Sequence, residues 1–310
     1  MKTAILGSGL IGRSWAIVFA RGGHEVMLWD QDPQQLSRAL SHIAQTLPDM
    51  AEAGLIKSPD QIRGKIHAVQ SLKEAISAVD FIQENILEQV EAKQRLFSEA
   101  ESLAPADAIF LSSTSAIMPS VIFGALKTRQ RCLVAHPLNP PHLAPIVELC
   151  GAPFTSSEAL EKTRSLMMSC EMSPIVIKRE IEGFVLNRLQ LAVLNEAFRL
   201  ISEGYVTASD LDKTMTEGLA LRWSFMGPIE TIDLNAPGGV ADYVQRYGPM
   251  IRRIGDSQGT AKPWPDTVAK TLAAERRALV PSDKLDDATT WRDRRMMALA
   301  AHKRSQQKFR

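Results

Sequence analysis

The stretch KTAILGSGLIGRSWAIVFARGGHEVMLWD, residues 2–30, decides the fold. A short apolar run, Thr3 to Leu6, gives way at Gly7 to a helical pattern, and a second run, Glu25 to Trp29, ends in Asp30. In this G-x-G-x-x-G arrangement Gly7 permits the tight turn, Gly9 lets backbone approach a pyrophosphate, and Gly12 lets the helix pack closely on a sheet. The free amides of the helix's first turn, at Leu10 and Ile11, and the helix dipole then attract negative charge. Asp30 follows about 20 residues on, where a carboxylate accepts hydrogen bonds from a ribose 2'-hydroxyl. It would repel a 2'-phosphate, and Gln31 and Asp32 supply no arginine to accept one, so NAD is expected over NADP.

Outward from this unit, short apolar runs recur at Ile66 to Val69, Phe81 to Ile82, Ile109 to Leu111, Cys132 to Ala135, Ile146 to Leu149 and Ile175 to Ile177. Runs this short, without clean alternation, suit strands buried on both faces. A Rossmann-type, mostly parallel sheet is therefore expected, with ligands at the carboxyl ends of its strands. The insert from Pro33 to Lys65 carries Leu36, Leu40, Ile43 and Leu47 at helical spacing and reads as a helical hairpin. From about Glu182 strand-like runs stop, so the boundary is expected at 181/182: a dinucleotide-binding domain, 1–181, and a smaller all-helical domain, 182–310. The opening helical segment of the latter, Gly183 to Ile201, is too apolar for full exposure, which suggests a homodimer.

The 310 residues are 45% hydrophobic and 23% charged with a formal net charge of +1, an ordinary globular composition. No signal peptide or apolar run of membrane-spanning length is read, so a cytoplasmic protein without a membrane partner is expected. The basic tail WRDRRMMALAAHKRSQQKFR reads as a solvated helix face and not as a nucleic-acid contact. Cys132, Cys150 and Cys170 read as core thiols, and no Cys/His spacing suggests a metal site.

Oxidising an alcohol with NAD requires a group that takes the hydroxyl proton, and neutral histidine suits this near neutral pH. His136, in VAHPLNPP at the end of an apolar run, is the candidate. Glu148, ending PIVE, belongs to the next strand, and a buried carboxylate on the other ring nitrogen would fix the tautomer and stabilise imidazolium. Ser115, in IFLSSTS, and the amide of Asn187 can donate to the substrate oxygen.

At these residues the chain resembles the 3-hydroxyacyl-CoA dehydrogenase superfamily, through GSGLIG, SSTS, HPLNP, the glutamate that follows His136 at 148, and GFVLNR. The resemblance implies that Ser115, His136, Glu148 and Asn187 form the catalytic set and that Asn139 of HPLNP also lines the site. It also implies, from QENILEQVEAK, that Glu84 and Lys93 lie near the ribose and nicotinamide of NAD. AHPLNPPHLAPIVEL, EIEGFVLNRLQ, SEGYVTASDLD, EGLALRWSFMGPIETIDLNAPGG and the terminal WRD are most similar to the lambda-crystallin or L-gulonate 3-dehydrogenase branch. That likeness implies NAD-dependent oxidation of the 3-hydroxyl of a small L-3-hydroxy acid. The alternatives are an L-3-hydroxyacyl-CoA dehydrogenase, a carnitine dehydrogenase and a non-catalytic, crystallin-like structural protein. Arg222, in GLALRWSFMGP, could bind a substrate carboxylate by a two-pronged contact. The Pro33 to Lys65 insert carries only Arg38 before Lys57, which argues against binding the nucleotide of coenzyme A.

Overall fold

In the computed structural model, which describes residues 1–258 and 266–306, the opening stretch forms β1 (Lys2–Leu6), α1 (Leu10–Arg21) and β2 (Glu25–Trp29). Ala4, Ile5 and Leu6 are buried, as a strand with helices over both its faces must be. The insert folds into α2 (Pro33–Glu52) and α3 (Pro59–Gly64). Pro33 sits in the first turn of α2, and the Asp32 side chain accepts from the Gln34 amide at 2.9 Å, which together start the helix. The chain continues through β3 (Ile66–Ala68), α4 (Leu72–Ile76), β4 (Phe81–Glu84), α5 (Val90–Leu103), β5 (Ile109–Ser112) and α6 (Pro119–Phe123). It then forms β6 (Cys132–Pro137), β7 (Ile146–Gly151), α7 (Ser157–Ser169) and β8 (Ser173–Ile177).

These strands make one eight-stranded sheet in the order β3-β2-β1-β4-β5-β6-β7-β8. Every neighbouring pair is parallel except β6 and β7. Chain direction across the sheet reverses between β1 and β4, and the crevice at the carboxyl ends of those strands is where a doubly wound sheet takes its ligand. One core layer gathers Trp15, Phe19, Leu28, Ile43 and Leu47, and the other gathers Ile76, Phe97, Phe110 and Phe123. All three cysteines are free and buried.

Beyond the sheet follow α8 (Leu186–Ser202), α9 (Ala208–Lys213), a π turn (Thr214–Leu219), α10 (Ala220–Trp223), α11 (Pro228–Leu234), α12 (Gly239–Gln258), α13 (Asp266–Leu279) and α14 (Leu285–Ser305). The contacts divide the chain into two units, one of residues 1–188 with the stretch from Trp291 onward, the other Leu189–Thr290. The stretch from Trp291 onward joins the first unit through its packing. Met297 is buried in the core of the first unit, with Met296, Ala300 and Ala301 packed against that core. Arg294 pairs with Asp49 at 3.2 Å, and Arg304 donates to the Leu55 carbonyl and pairs with Glu171. The tail expected to be a solvated helix face is instead a docked helix, because its methionines and alanines form an apolar stripe among the charges. In the second unit only Ala197, Thr231 and Ala236 are buried among the described residues. No helix of the described residues is long and apolar enough to cross a membrane.

Candidate active site

Close backbone contacts shape the glycine loop. Gly7 has φ +89°, and a Cβ on it would lie 2.8 Å from the Asn85 carbonyl oxygen. A Cβ on Gly12 would lie 1.8 Å from the Gly7 oxygen, so only glycine lets α1 start this close to β1. Gly9 has nothing within 4 Å of that position. Its open side, with the amides of Leu10 and Ile11 at the head of α1, fits a diphosphate. Asp30 lies at the end of β2, its Oδ2 accepting from the Ser8 amide at 2.7 Å and the Ser8 hydroxyl at 3.0 Å, its Oδ1 from the Asp32 amide at 2.9 Å. The remaining lone pairs are free to accept ribose hydroxyls. Beside it opens a cavity of about 330 Å³ lined by Trp29, Asp30, Leu36, Val69, Gln70 and Leu72, a size and lining that suit the adenosine half of a dinucleotide.

His136 and Glu148 face each other on the antiparallel pair β6 and β7, directly opposite in register. Both are buried, and His136 Nδ1 lies 2.8 Å from Glu148 Oε2. The other carboxylate oxygen, Oε1, accepts from the amides of Val185 and Leu186 at 2.9 Å each. Those amides open α8. They reach Glu148 because Gly183 and Phe184 both take left-handed conformations, φ +73° and +49°, an uncommon one for phenylalanine. The Phe184 ring in turn packs 5.5 Å from that of His136. Burial pushes the Glu148 carboxyl up, but the hydrogen bonds from His136, Leu186 and Val185 outweigh it and hold the carboxyl below its ordinary range. An ionised Glu148 accepts from Nδ1–H, which leaves Nε2 as the basic nitrogen.

Ser115 lies in the exposed loop after β5, and Asn187 is in the first turn of α8. Asn187 Nδ2 donates to the Ser115 carbonyl at 2.7 Å, so one of its two amide hydrogens fixes the serine loop and the other remains for a ligand. Asn139 is exposed in the loop that follows β6. Arg222 is an exposed residue of α10 with no ion pair among the described residues. No cluster of three or more potential metal ligands occurs among the described residues.

In the QENILEQVEAK segment the side chains of Glu84 and Lys93 are 0% and 1% exposed and pair with each other at 2.7 Å. Glu84 also accepts from the Ser112 hydroxyl at 2.5 Å and the Ile86 amide at 2.6 Å. Burial holds its carboxyl above the ordinary range, against the opposing pull of Lys93, Ser112 and Ile86; its three donors, one of them the Lys93 ammonium, favour the carboxylate form. The residue that reaches the serine loop is Glu88, absent from the sequence-based set. Its Oε1 accepts from the Thr114 hydroxyl at 2.5 Å, the Ser115 amide at 2.7 Å and the Ala116 amide at 3.3 Å. Burial raises the Glu88 carboxyl, yet Thr114, Lys93 and the Ser115 amide bring it below its ordinary value. The signal was present as a second acid four residues after Glu84, but without the end point of β4 nothing distinguished the strand-end glutamate from the loop glutamate.

A glycine loop and an acid suited to NAD, with a histidine–carboxylate pair on β6 and β7 of the same sheet, are the parts of a nicotinamide-dependent alcohol dehydrogenase. Residues 2–181 match the model of the 3-hydroxyacyl-CoA dehydrogenase NAD binding domain, and residues 183–278 match the C-terminal domain of the same family. The chain belongs to the 3-hydroxyacyl-CoA dehydrogenase family and is an NAD-dependent oxidoreductase. It is 38% identical to the lambda-crystallin of Oryctolagus cuniculus over 98% of this chain and 96% of that one. It is 33% identical to the L-carnitine dehydrogenase of Oceanobacillus iheyensis over 90% of this chain and 88% of that one. Among solved structures, an NAD+-dependent dismutase, the 5-dehydrogenase of 5-formyl-3-hydroxy-2-methylpyridine 4-carboxylic acid, shares the fold with a TM-score of 0.82 at 24% identity, covering 98% of this chain and 97% of that one.

Proposed function

We propose that this protein oxidises the 3-hydroxyl of a small L-3-hydroxy acid of the L-gulonate type. The observation that carries this reading is the His136–Glu148 pair at 2.8 Å, closed on its far side by the amides of Val185 and Leu186. NAD, when bound at the glycine loop and Asp30, supplies the hydride acceptor. His136 Nε2 removes the proton from the substrate hydroxyl, and Glu148 stabilises the imidazolium that results. Ser115 and Asn187 donate to the substrate oxygen and hold the carbinol carbon in line, and Asn139 lines the same site. Arg222, exposed and without an ion pair among the described residues, binds the substrate carboxylate.

Carnitine is the second reading. The carnitine dehydrogenase relatives support it, as do the exposed Trp223 and Phe225 beside Arg222, since aromatic faces attract a quaternary ammonium. An acyl-CoA substrate is disfavoured by an insert without lysine or arginine between Arg38 and Lys57. A crystallin-like structural role would not call for the closed set of polar contacts at His136.

The test is NADH absorbance with L-gulonate, L-3-hydroxybutyrate, carnitine and L-3-hydroxybutyryl-CoA offered side by side to the unmodified protein, His136→Ala and Arg222→Met. The reading expects activity with the small acids, a loss of about 10² to 10⁴ in His136→Ala, and a sharply raised KM for acids alone in Arg222→Met. No turnover with any hydroxy acid overturns it.

We further propose a cytoplasmic homodimer formed through the helical unit. Its support is the exposure of Leu189, Leu221, Phe225, Ile229 and Leu234 in a unit that buries few residues itself. A monomer at micromolar concentration in sedimentation would refute it.

A further inference from the structure

Three charges lie beneath the loop that carries Ser115. Lys93 Nζ donates to Glu84 Oε1 at 2.7 Å and stands 3.3 Å from Glu88 Oε2. Glu84 and Lys93 are sealed from solvent, whereas the Glu88 side chain is 43% exposed. Two carboxylates and one ammonium leave one negative charge. Because the shorter contact is to the buried carboxylate, Lys93 is neutralised internally and the uncompensated charge stays on Glu88. That charge is also fixed in place. Glu88 Oε1 takes the Thr114 hydroxyl and the Ser115 amide, and the Ser115 carbonyl takes Asn187.

We propose that Glu84 is a positioning residue which neutralises Lys93 and thereby leaves Glu88 as a fixed negative charge that favours the oxidised over the reduced cofactor. The inference rests on the reading of Ser115 as a group at the reacting carbon. A hydride passes only between atoms in contact, so the nicotinamide ring must lie close to whatever lies beside Ser115. The oxidised ring carries a positive charge and the reduced ring carries none. A fixed anion near it therefore tightens binding of one form and leaves the other nearly unchanged. A unit charge about 10 Å away, in an effective dielectric of about 20, changes a binding constant by about tenfold.

Calorimetric titration of the purified protein with NAD+ and with NADH, without any hydroxy acid, gives the ratio of the two Kd values. Glu84→Gln removes the charge that neutralises Lys93, so the ammonium is left to Glu88 and the trio becomes neutral. The ratio Kd(NAD+)/Kd(NADH) should rise about tenfold. Glu88→Gln should raise it similarly, since that variant is also neutral. The double variant Glu84→Gln with Lys93→Met removes one charge of each sign and should restore the original ratio. A merely structural role predicts that both Kd values rise together in Glu84→Gln and rise further in the double variant. Should Glu84→Gln not fold with its lysine unpaired, the other two proteins decide: the ratio must move in Glu88→Gln and return in the double variant. An unmoved ratio in Glu88→Gln, or a double variant that keeps the shift, overturns the proposal. The outcome is independent of the substrate reading, which fails separately if His136→Ala keeps its turnover.

Discussion

Replacing Glu148 by Gln changes one hydrogen-bond donor and almost no volume. In the unmodified protein Oε1 accepts from the amides of Val185 and Leu186 and Oε2 accepts from His136 Nδ1–H. A glutamine keeps its carbonyl oxygen toward the two amides, because turning round would set a donor against two donors. Its NH₂ must then face His136, which can pair with it only by accepting at Nδ1. The ring proton moves to Nε2, and the nitrogen that should take the substrate proton already carries one. Loss of the correct tautomer in a histidine–carboxylate pair lowers turnover by about 10³ to 10⁴, or about 4 to 5.5 kcal/mol in barrier height. KM for the hydroxy acid and the Kd for NAD should hardly move, since Glu148 touches neither the glycine loop nor Asp30 in this structure. The assay is steady-state NADH formation with L-gulonate and L-3-hydroxybutyrate, with thermal melting to show that the variant folds. Turnover within about fivefold of the unmodified protein would refute the assignment of Nε2 as the base.

Asp30→Ala should weaken NAD binding and relax the preference against NADP, read from kcat/KM with each cofactor; a variant that keeps full NAD preference contradicts the role given to Asp30. His142 is buried with neither ring nitrogen partnered among the described residues, and burial with Arg21, Arg13 and Arg292 pushes its pKa down to about 3. The folded protein therefore holds it neutral, the unfolded chain protonates it below about pH 6.5, and stability should fall by about 2 kcal/mol between pH 6.5 and pH 5. His142→Phe should abolish that part of the acid sensitivity in urea unfolding, and equal sensitivity in both proteins would count against it. Met297→Ala should cost about 2 to 5 kcal/mol, measured by urea unfolding, and an unchanged midpoint would mean that α14 is not docked.

Much of the sheet was legible because its strands are short, apolar and buried on both faces. The runs at Thr3, Glu25, Ile109 and Cys132 each became a strand, extended by a residue or two where flanking polar groups join the ladder, as Ser112 does in β5. His136 and Glu148 could be paired in advance because one ends an apolar run and the other interrupts the next, although their antiparallel register could not. Glu84 and Glu88 show where local pattern stops. Both are acids near a strand end, and only the third dimension shows that one is enclosed by Lys93 and Ser112 while the other reaches Ser115. The charges of the tail concealed its apolar stripe, since Met297 looks like any surface methionine until the groove that receives it is known. The amides of Val185 and Leu186 carry no side-chain signature at all.

The docking of α14 sets an order of events during synthesis. The sheet and its two layers of helices are encoded within the first 188 residues, yet the first unit is completed only by residues from Trp291 onward. The helical unit is thus spliced into the dinucleotide-binding one and tethered at both ends. On the ribosome the sheet can collapse early, but the part of the core that Met297 fills stays open until α14 has emerged. A chain cut after residue 278, where the match to the family's C-terminal domain ends, would leave that part of the core exposed to self-association. A fusion partner or affinity tag is accordingly better placed where it does not pull on Arg304, whose contacts with Leu55 and Glu171 close the far end of the helix.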